Sequence, residues 1–199
     1  MLEMVRGCRV PRCDLLAEQG MQTEYGFCVN VNARNIKSLM CDFILAQKSP
    51  VFLILELPTN QHDEQALRQN DAEPMHRDVY YLDGLSSAEA VALLDEYGEL
   101  LIHDGLSYFG FGAHDATAEI MLAKYNIVKL LTKDFKTYQD FFVKHNISLV
   151  ENCLTAWDTF NHDVPGEATV VEVDGKTVYA LPEVLKSRGL YFAERRVDD

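Results

Sequence analysis

Basic side chains are scarce in this sequence. Its 199 residues include 18 lysines and arginines against 31 aspartates and glutamates, which gives a formal net charge of −13. Non-specific nucleic-acid binding depends on clustered lysine and arginine that displace phosphate counterions, and anionic membranes likewise attract basic surfaces. The scarcity therefore argues against both nucleic acid and an anionic membrane surface as partners.

Long apolar runs are also missing. The longest, Val51 to Leu55, is far shorter than the roughly 20 residues that a membrane-spanning helix needs, and the first residues lack the apolar core of a secretory signal. The five cysteines are irregularly spaced and include no C-x-x-C pair, so they indicate neither a disulfide framework nor a zinc site. We therefore expect a cytoplasmic protein whose thiols stay reduced.

Regular secondary-structure patterns are absent from residues 1–24. This segment combines arginines with glycine, proline and two of the cysteines, which indicates an irregular N-terminal arm. Cys8 and Cys13 lie among three of the arginines. Because a nearby positive charge favours the thiolate, we expect these arginines to lower the pKa of the two thiols.

The rest of the chain alternates between patterns typical of strands and of helices. Apolar residues at helical spacing predict three main helices, at about 32–47, 86–103 and 134–145. Short apolar runs predict strands at about 27–31, 51–57, 78–82, 106–111 and 119–131. Asp174-Gly175 lies between two β-rich segments and is typical of a tight hairpin turn. We therefore predict the α+β class: residues 25–199 form a single domain with a mixed β-sheet, several packed helices and a C-terminal β-hairpin.

Gly98 leaves two interpretations of the helix at 86–103. A glycine inside a helix costs roughly 1 kcal/mol relative to alanine, so the helix could end at Tyr97, with Asp104-Gly105 forming a hairpin turn. Apolar residues nevertheless continue at helical spacing beyond Gly98. This periodicity favours the longer helix.

The negative charge is concentrated in the middle third of the sequence. Residues 58–120 contain two basic side chains against thirteen acidic ones, whereas residues 1–57 contain six of each. Residues 121–199 contain ten basic and twelve acidic side chains. Gathered on one surface, such charge would attract a cation or a basic partner, although charge runs often only face water.

One part of this middle third is an acidic stripe on the predicted helix at 86–103. The helix has apolar residues on one side, and its polar side carries Glu89, Asp95, Glu96, Glu99 and His103. Such a stripe offers a docking surface whose electrostatic field would steer a cationic partner toward it. It could equally be the ordinary polar side of an amphipathic helix.

Histidine–aspartate pairs provide a second candidate site. Four of the six histidines are followed directly by aspartate: His62-Asp63, His103-Asp104, His114-Asp115 and His162-Asp163. The third pair follows the glycine-containing segment Tyr108 to Gly112 and lies close to Glu119. His114, Asp115 and Glu119 could therefore hold a divalent metal such as Mn²⁺, Mg²⁺ or Zn²⁺. The alternative is that the aspartates serve as turn and cap residues.

These observations support two functional hypotheses. The leading one is a non-enzymatic cytoplasmic binding protein that needs no cofactor and engages a basic protein partner through its acidic central surface, as an immunity-type inhibitor of a cationic toxin would. The alternative is a metal-dependent hydrolase in which ligands around residues 103–119 hold the metal and a metal-bound water is the nucleophile. The sequence contains no phosphate-binding loop, nucleophile elbow or H-E-x-x-H motif that would indicate another enzyme class.

Overall fold

A computed structural model describes residues 1–48, 50–70, 72–115 and 117–198 of the chain. Within these residues the α-helices are α1 (Ala33–Ala46), α2 (Gln61–Leu67), α3 (Ser87–His103), α4 (Phe135–Lys144) and α5 (Leu181–Lys186). The strands are β1 (Cys8–Arg9), β2 (Gln19–Gln22), β3 (Gly26–Asn30), β4 (Val51–Pro58), β5 (His76–Leu85), β6 (Tyr108–Ala113), β7 (Ala118–Leu122), β8 (Ile127–Thr132), β9 (Ser148–Leu149), β10 (Glu167–Ala168) and β11 (Tyr191–Val197). None of the helices in the described ranges is long and apolar enough to cross a membrane.

Nine strands form one mixed sheet. Their order is β11-β5-β4-β6-β7-β8-β3-β2-β9, and neighbours are antiparallel except for the parallel pair β2 and β9. A separate pair, β1 and β10, is antiparallel. Near the C-terminus, Asp174 and Gly175 both have positive φ, and Val173 and Lys176 exchange backbone hydrogen bonds across this turn. The predicted α+β fold with a mixed sheet and a C-terminal hairpin is confirmed.

Three helices cover one face of the nine-stranded sheet. Helix α1 packs beside α3, and together they contact the central strands β4, β5 and β6. Helix α4 joins this layer through aromatic pairs, among them Phe142 with Phe27 on β3 and Tyr138 with Phe43 on α1. We call the opposite side of the sheet the open face. Because strand side chains alternate between faces, each central strand contributes to both the core and the open face.

Strand β6 shows this alternation in its sequence. Phe109 and Phe111 are fully buried in the core beneath the helices. The intervening positions on the open face are Gly110 and Gly112, so the strand has no side chain there. Between β4 and β7 the open face is consequently lowered into a trough.

The N-terminal segment is part of the domain, not a separate irregular arm. Leu2, Val5 and Leu16 are buried in the same hydrophobic core as the helices. Gln19–Gln22 is a strand of the main sheet, paired with β3. The predicted irregular arm over 1–24 is wrong in these two respects, because its apolar residues are too widely separated to give a strand or helix pattern.

Other element predictions have mixed outcomes. Helix α3 runs through Gly98 to His103, which confirms the longer of the two alternatives. The predicted strand at 119–131 is instead two strands, β7 and β8, because Tyr125 and Asn126 have positive φ and reverse the chain. The final strand, Tyr191–Val197, was not predicted; it pairs with β5 at the edge of the sheet.

Candidate functional site

The acids of the predicted stripe on α3 form contacts within the chain. Glu89 belongs to a capping box, in which its carboxylate accepts hydrogen bonds from the backbone and hydroxyl of Ser86. The other three acids are close to cations from distant parts of the sequence: Asp95 is 2.8 Å from Lys37, Glu96 is 2.7 Å from Arg188, and Glu99 is 2.9 Å from Arg6. Exposed ion pairs add little stability, but they neutralise the charge that a partner would meet.

His103, at the end of the stripe, also has a structural contact. Its Nδ1 accepts a hydrogen bond from the backbone N–H of Arg6 at 3.2 Å. Burial lowers the pKa of His103, and the carboxylate of Glu99 opposes this shift. The side chain therefore anchors the N-terminal segment to the end of α3.

The three predicted metal ligands do not converge on one metal ion in the described structure, although His114 and Glu119 both line a depression at one end of the open face. His114 Nε2 accepts a hydrogen bond from the backbone N–H of Gly84, and Asp115 accepts hydrogen bonds from the backbone and hydroxyl of Thr117. Glu119 lies on β7 and faces the open side of the sheet. Among the described residues, no group of three or more histidine, cysteine, aspartate or glutamate side chains is arranged to hold a metal ion.

The aspartates of the histidine–aspartate pairs mostly stabilise local structure. Asp104 accepts hydrogen bonds from the backbone N–H groups of Leu106 and Ser107 just after α3. Asp115 has the equivalent role toward Thr117. Asp63, by contrast, pairs with Arg195 at 2.8 Å. The turn and cap interpretation therefore describes Asp104 and Asp115 well.

Four of the five cysteines do not have the environment of reactive thiols. Burial raises the pKa of Cys8, Cys28 and Cys41, and it raises that of Cys153 to about 11. The expectation that neighbouring arginines lower the thiol pKa is wrong for Cys8, because its side chain is buried while Arg6 and Arg9 extend into solvent. All five cysteines are free thiols.

The strongest concentration of polar groups is a central groove in the open face. Its volume is about 640 Å³, and it follows the trough above β6. One side of the groove is charged: Arg196 lies 3.4 Å from Glu56, and Asp198 lies 2.6 Å from Arg77. Lining residues include Ile54, Glu56, Arg77, Tyr81, Tyr108, Glu119, Met121, Lys129, Trp157 and Arg196.

Arg77 forms the end of this groove next to Tyr108 and Asp198. Its guanidinium stacks on the ring of Tyr108, 3.6 Å from the ring centre, and donates hydrogen bonds to the carbonyls of Glu56 and Leu106. The side chain is almost completely buried, with Asp198 as its carboxylate partner. Because these contacts satisfy the guanidinium, Arg77 is a structural residue with little capacity to bind a ligand.

Two carboxyl groups in the groove have an elevated pKa. Burial raises the pKa of Glu56, against the lowering effect of Arg196 and Arg77. Burial also raises the pKa of Glu119, the negative charge of Glu56 adds to the shift, and Arg196 opposes it. Glu56 has an ion pair, whereas the carboxylate of Glu119 makes no hydrogen bond or close ion pair within the described residues.

Glu119 also borders a second depression, which we call the aromatic hollow. It has a volume of about 770 Å³ and lies at one end of the open face. Its walls include Tyr25, Phe52, His114, Leu131 and Phe135. The rings of Phe52 and His114 meet edge to face, with centroids 5.5 Å apart. Leu131 and Tyr25 are 48% and 68% exposed, so the hollow presents apolar surface to solvent.

The sequence predicts some residues of this site and not others. The sequence indicates Glu119 as a candidate ligand, and the structure places this residue in the groove. Glu56 was missed, although an acid inside the apolar run Val51–Leu57 is itself a signal, because acids are rarely buried without a partner. Arg196 was missed because its strand was not predicted.

Comparison with known proteins does not assign a function to this site. No protein-family model and no curated protein matches its sequence, and no solved structure matches it.

Proposed function

We propose that this chain is a non-enzymatic binding protein that docks a basic protein partner on the open face of its sheet. The observation that carries the proposal is Glu119, a half-buried carboxylate without an ion pair in the described structure, located where the central groove meets the aromatic hollow. Apolar and aromatic side chains surround it, as in the cores of protein interfaces. An immunity-type inhibitor of a cationic toxin would be one protein of this kind.

The open face suits this role better than the acidic stripe on α3. A partner that docked on the stripe would have to displace Arg6, Lys37 or Arg188 from its carboxylate. A cation that approached Glu119 would displace no ion pair there. Docking at the open face would therefore add an ion pair at Glu119, reduced by repulsion from Lys129 and Arg196 on the same face, whereas docking at α3 would only exchange one ion pair for another.

A reducing, cytoplasmic setting and independence of cofactors belong to the same proposal. The five free thiols support the first, since an oxidising compartment would favour disulfides. A metal-dependent hydrolase is not proposed, because His114 and Asp115 already accept hydrogen bonds from Gly84 and Thr117, and no group of three or more such ligands in the described residues is arranged to hold a metal ion.

The proposal can be tested with a synthetic peptide of alternating arginine and serine. NMR spectra of the methyl-labelled protein should show shifts at Leu131, Met121 and Ile54 on the open face when this peptide is added. Binding should weaken steeply as salt rises, because exposed charges are screened beyond about 8–10 Å near physiological ionic strength. A matched peptide of alternating glutamate and serine should produce no shifts.

The variant Glu96→Gln provides the control for surface choice. It removes one charge from the acidic stripe and should leave the affinity for the arginine–serine peptide within about twofold, since the partner lies on another surface. Shifts confined to residues of α3, such as Val91, would contradict the proposal, as would the absence of any binding at low salt.

A further inference from the structure

The surroundings of Glu119 define a site for one cationic side chain. In the sheet register, Glu119 lies between Gly112 on β6 and Leu131 on β8. On the Gly112 side the neighbour of Glu119 is the ring of Phe52, which lies over this glycine, and on the other side Leu131 supplies apolar surface. Arg196, the cation whose charge lowers the pKa of Glu119, is already paired with Glu56 and Glu194. The carboxylate is thus available to an incoming cation.

Phe52 is positioned by the same glycine. A methyl group on Gly112 would lie 2.2 Å from the ring of Phe52, so only glycine lets this ring lie across β6 toward β7. The ring is held there by edge-to-face contacts with Tyr81 on one side and His114 on the other. The wall of the aromatic hollow next to Glu119 is therefore a fixed aromatic surface.

The combination of a carboxylate with aromatic walls distinguishes among possible cations. A guanidinium is planar, stacks on aromatic rings and is more weakly hydrated than an ammonium group, so it enters a partly apolar site at lower cost than lysine. A divalent metal needs several oxygen ligands, which the described residues around Glu119 do not offer. Glu24 and Lys133 lie at the rim with opposite charges.

We propose that the aromatic hollow binds an arginine side chain, with the guanidinium paired to Glu119 and stacked against Phe52. This inference rests on the proposed function, because a basic protein partner would present the arginine. The partner would be anchored by one arginine side chain that inserts into the aromatic hollow.

The test uses three capped pentapeptides, Gly-Ser-Xaa-Ser-Gly, in which the central residue is arginine, lysine or citrulline. Citrulline has nearly the shape of arginine without its charge. Titrations followed at the Leu131 methyl and Phe52 ring signals should show the arginine peptide binding about tenfold more tightly than the citrulline peptide, the factor to which 1.4 kcal/mol corresponds. The lysine peptide should fall between them.

Two variants identify the residue responsible. Glu119→Gln should abolish the preference for arginine over citrulline while the protein remains folded, because the amide keeps the shape and removes the charge. Glu151→Gln, which changes an exposed acid elsewhere, should leave the preference unchanged. Equal affinities for the arginine and citrulline peptides, or an unchanged preference in Glu119→Gln, would overturn the inference.

The outcomes also separate this inference from the proposed function. If the arginine–serine peptide still binds the open face but the pentapeptides are not discriminated, the hollow is not an arginine site and the docking surface stands. If the pentapeptides are discriminated while the arginine–serine peptide binds only at α3, the arginine site stands and the docking surface is wrong.

Discussion

Burial and the charge of Glu56 both raise the pKa of Glu119 above its ordinary value of 4.5. A carboxyl group in this position favours its neutral form in the folded protein, so ionisation makes folding less favourable. The protonated Glu119 carboxyl stabilises the folded protein at pH values below its pKa in the unfolded chain. This stabilisation is lost as the pH rises through its pKa in the folded protein. At neutral pH Glu119 therefore lowers stability, as residues with a binding role often do.

The raised pKa of Glu119 predicts the effect of Glu119→Gln on the stability of the protein. The glutamine cannot ionise, so the variant should unfold at a higher temperature than the unmodified protein at about pH 7. The difference should shrink toward zero at about pH 4, where most of the Glu119 carboxyl is protonated. Thermal unfolding monitored by circular dichroism at both pH values measures this. A variant less stable at neutral pH would show that the carboxylate has a stabilising partner.

At the scale of elements, two glycines have opposite structural roles. Gly98 lies in the middle of α3, and a methyl group there would meet its nearest neighbour at an ordinary 3.7 Å. Gly110 lies in β6, where the methyl group would be 2.0 Å from the carbonyl oxygen of Ile120 on β7. Of these two positions, only 110 requires glycine, because the backbone of β7 approaches it closely.

The two alanine variants should therefore change stability in opposite directions. Gly98→Ala should raise the free energy of unfolding by about 0.5–1 kcal/mol, because alanine loses less backbone entropy in a helix. Gly110→Ala should lower it by about 1–3 kcal/mol, because β6 and β7 must separate. Urea denaturation measures both. If Gly110→Ala were neutral, the strands would be less closely packed than the structure shows.

Elements with strong local signals were predictable from the sequence. The capping residue Ser86, the periodic apolar side of α3 and the Asp174-Gly175 turn each specify structure through neighbouring residues alone. The edge strands Gln19–Gln22 and Tyr191–Val197 lack such a signal. Most side chains of Tyr191–Val197 are exposed on both faces, so no alternation of apolar and polar residues marks it.

At the scale of the whole molecule, the charge imbalance of the sequence does not become one acidic surface. The acids of residues 58–120 pair with cations from both ends of the chain, among them Arg6, Arg188 and Arg195. Such pairings depend on tertiary contacts between distant segments. The candidate site can therefore be predicted only in part: the sequence indicates Glu119, but only the fold shows that its carboxylate has no ion-pair partner among the described residues.

The buried N-terminal segment leads to a prediction about truncation. Removing residues 1–16 would delete Leu2, Val5 and Leu16 from the core, and each buried side chain of this type contributes about 1.5–3 kcal/mol. Together they approach the total stability of a typical domain, about 5–15 kcal/mol. The truncated protein should therefore lose its near-ultraviolet circular dichroism and its cooperative unfolding transition.

Removal of Met1 alone is the matched control for this truncation. Met1 is 88% exposed, so its loss should leave the unfolding midpoint nearly unchanged. A cooperative transition in the chain lacking residues 1–16 would show that the core does not depend on this segment.

The strand order of the main sheet also determines when this protein can finish folding. Strand β5 pairs with β11, β2 pairs with β9, and the backbone N–H of Thr169 donates a hydrogen bond to the carbonyl of Gly7 across 162 residues of sequence. Contacts between such distant residues close slowly, because long loops must be ordered first. During synthesis β2 must wait for β9, and β5 must wait for β11, so the nine-stranded sheet is completed only after Tyr191–Val197 has left the ribosome.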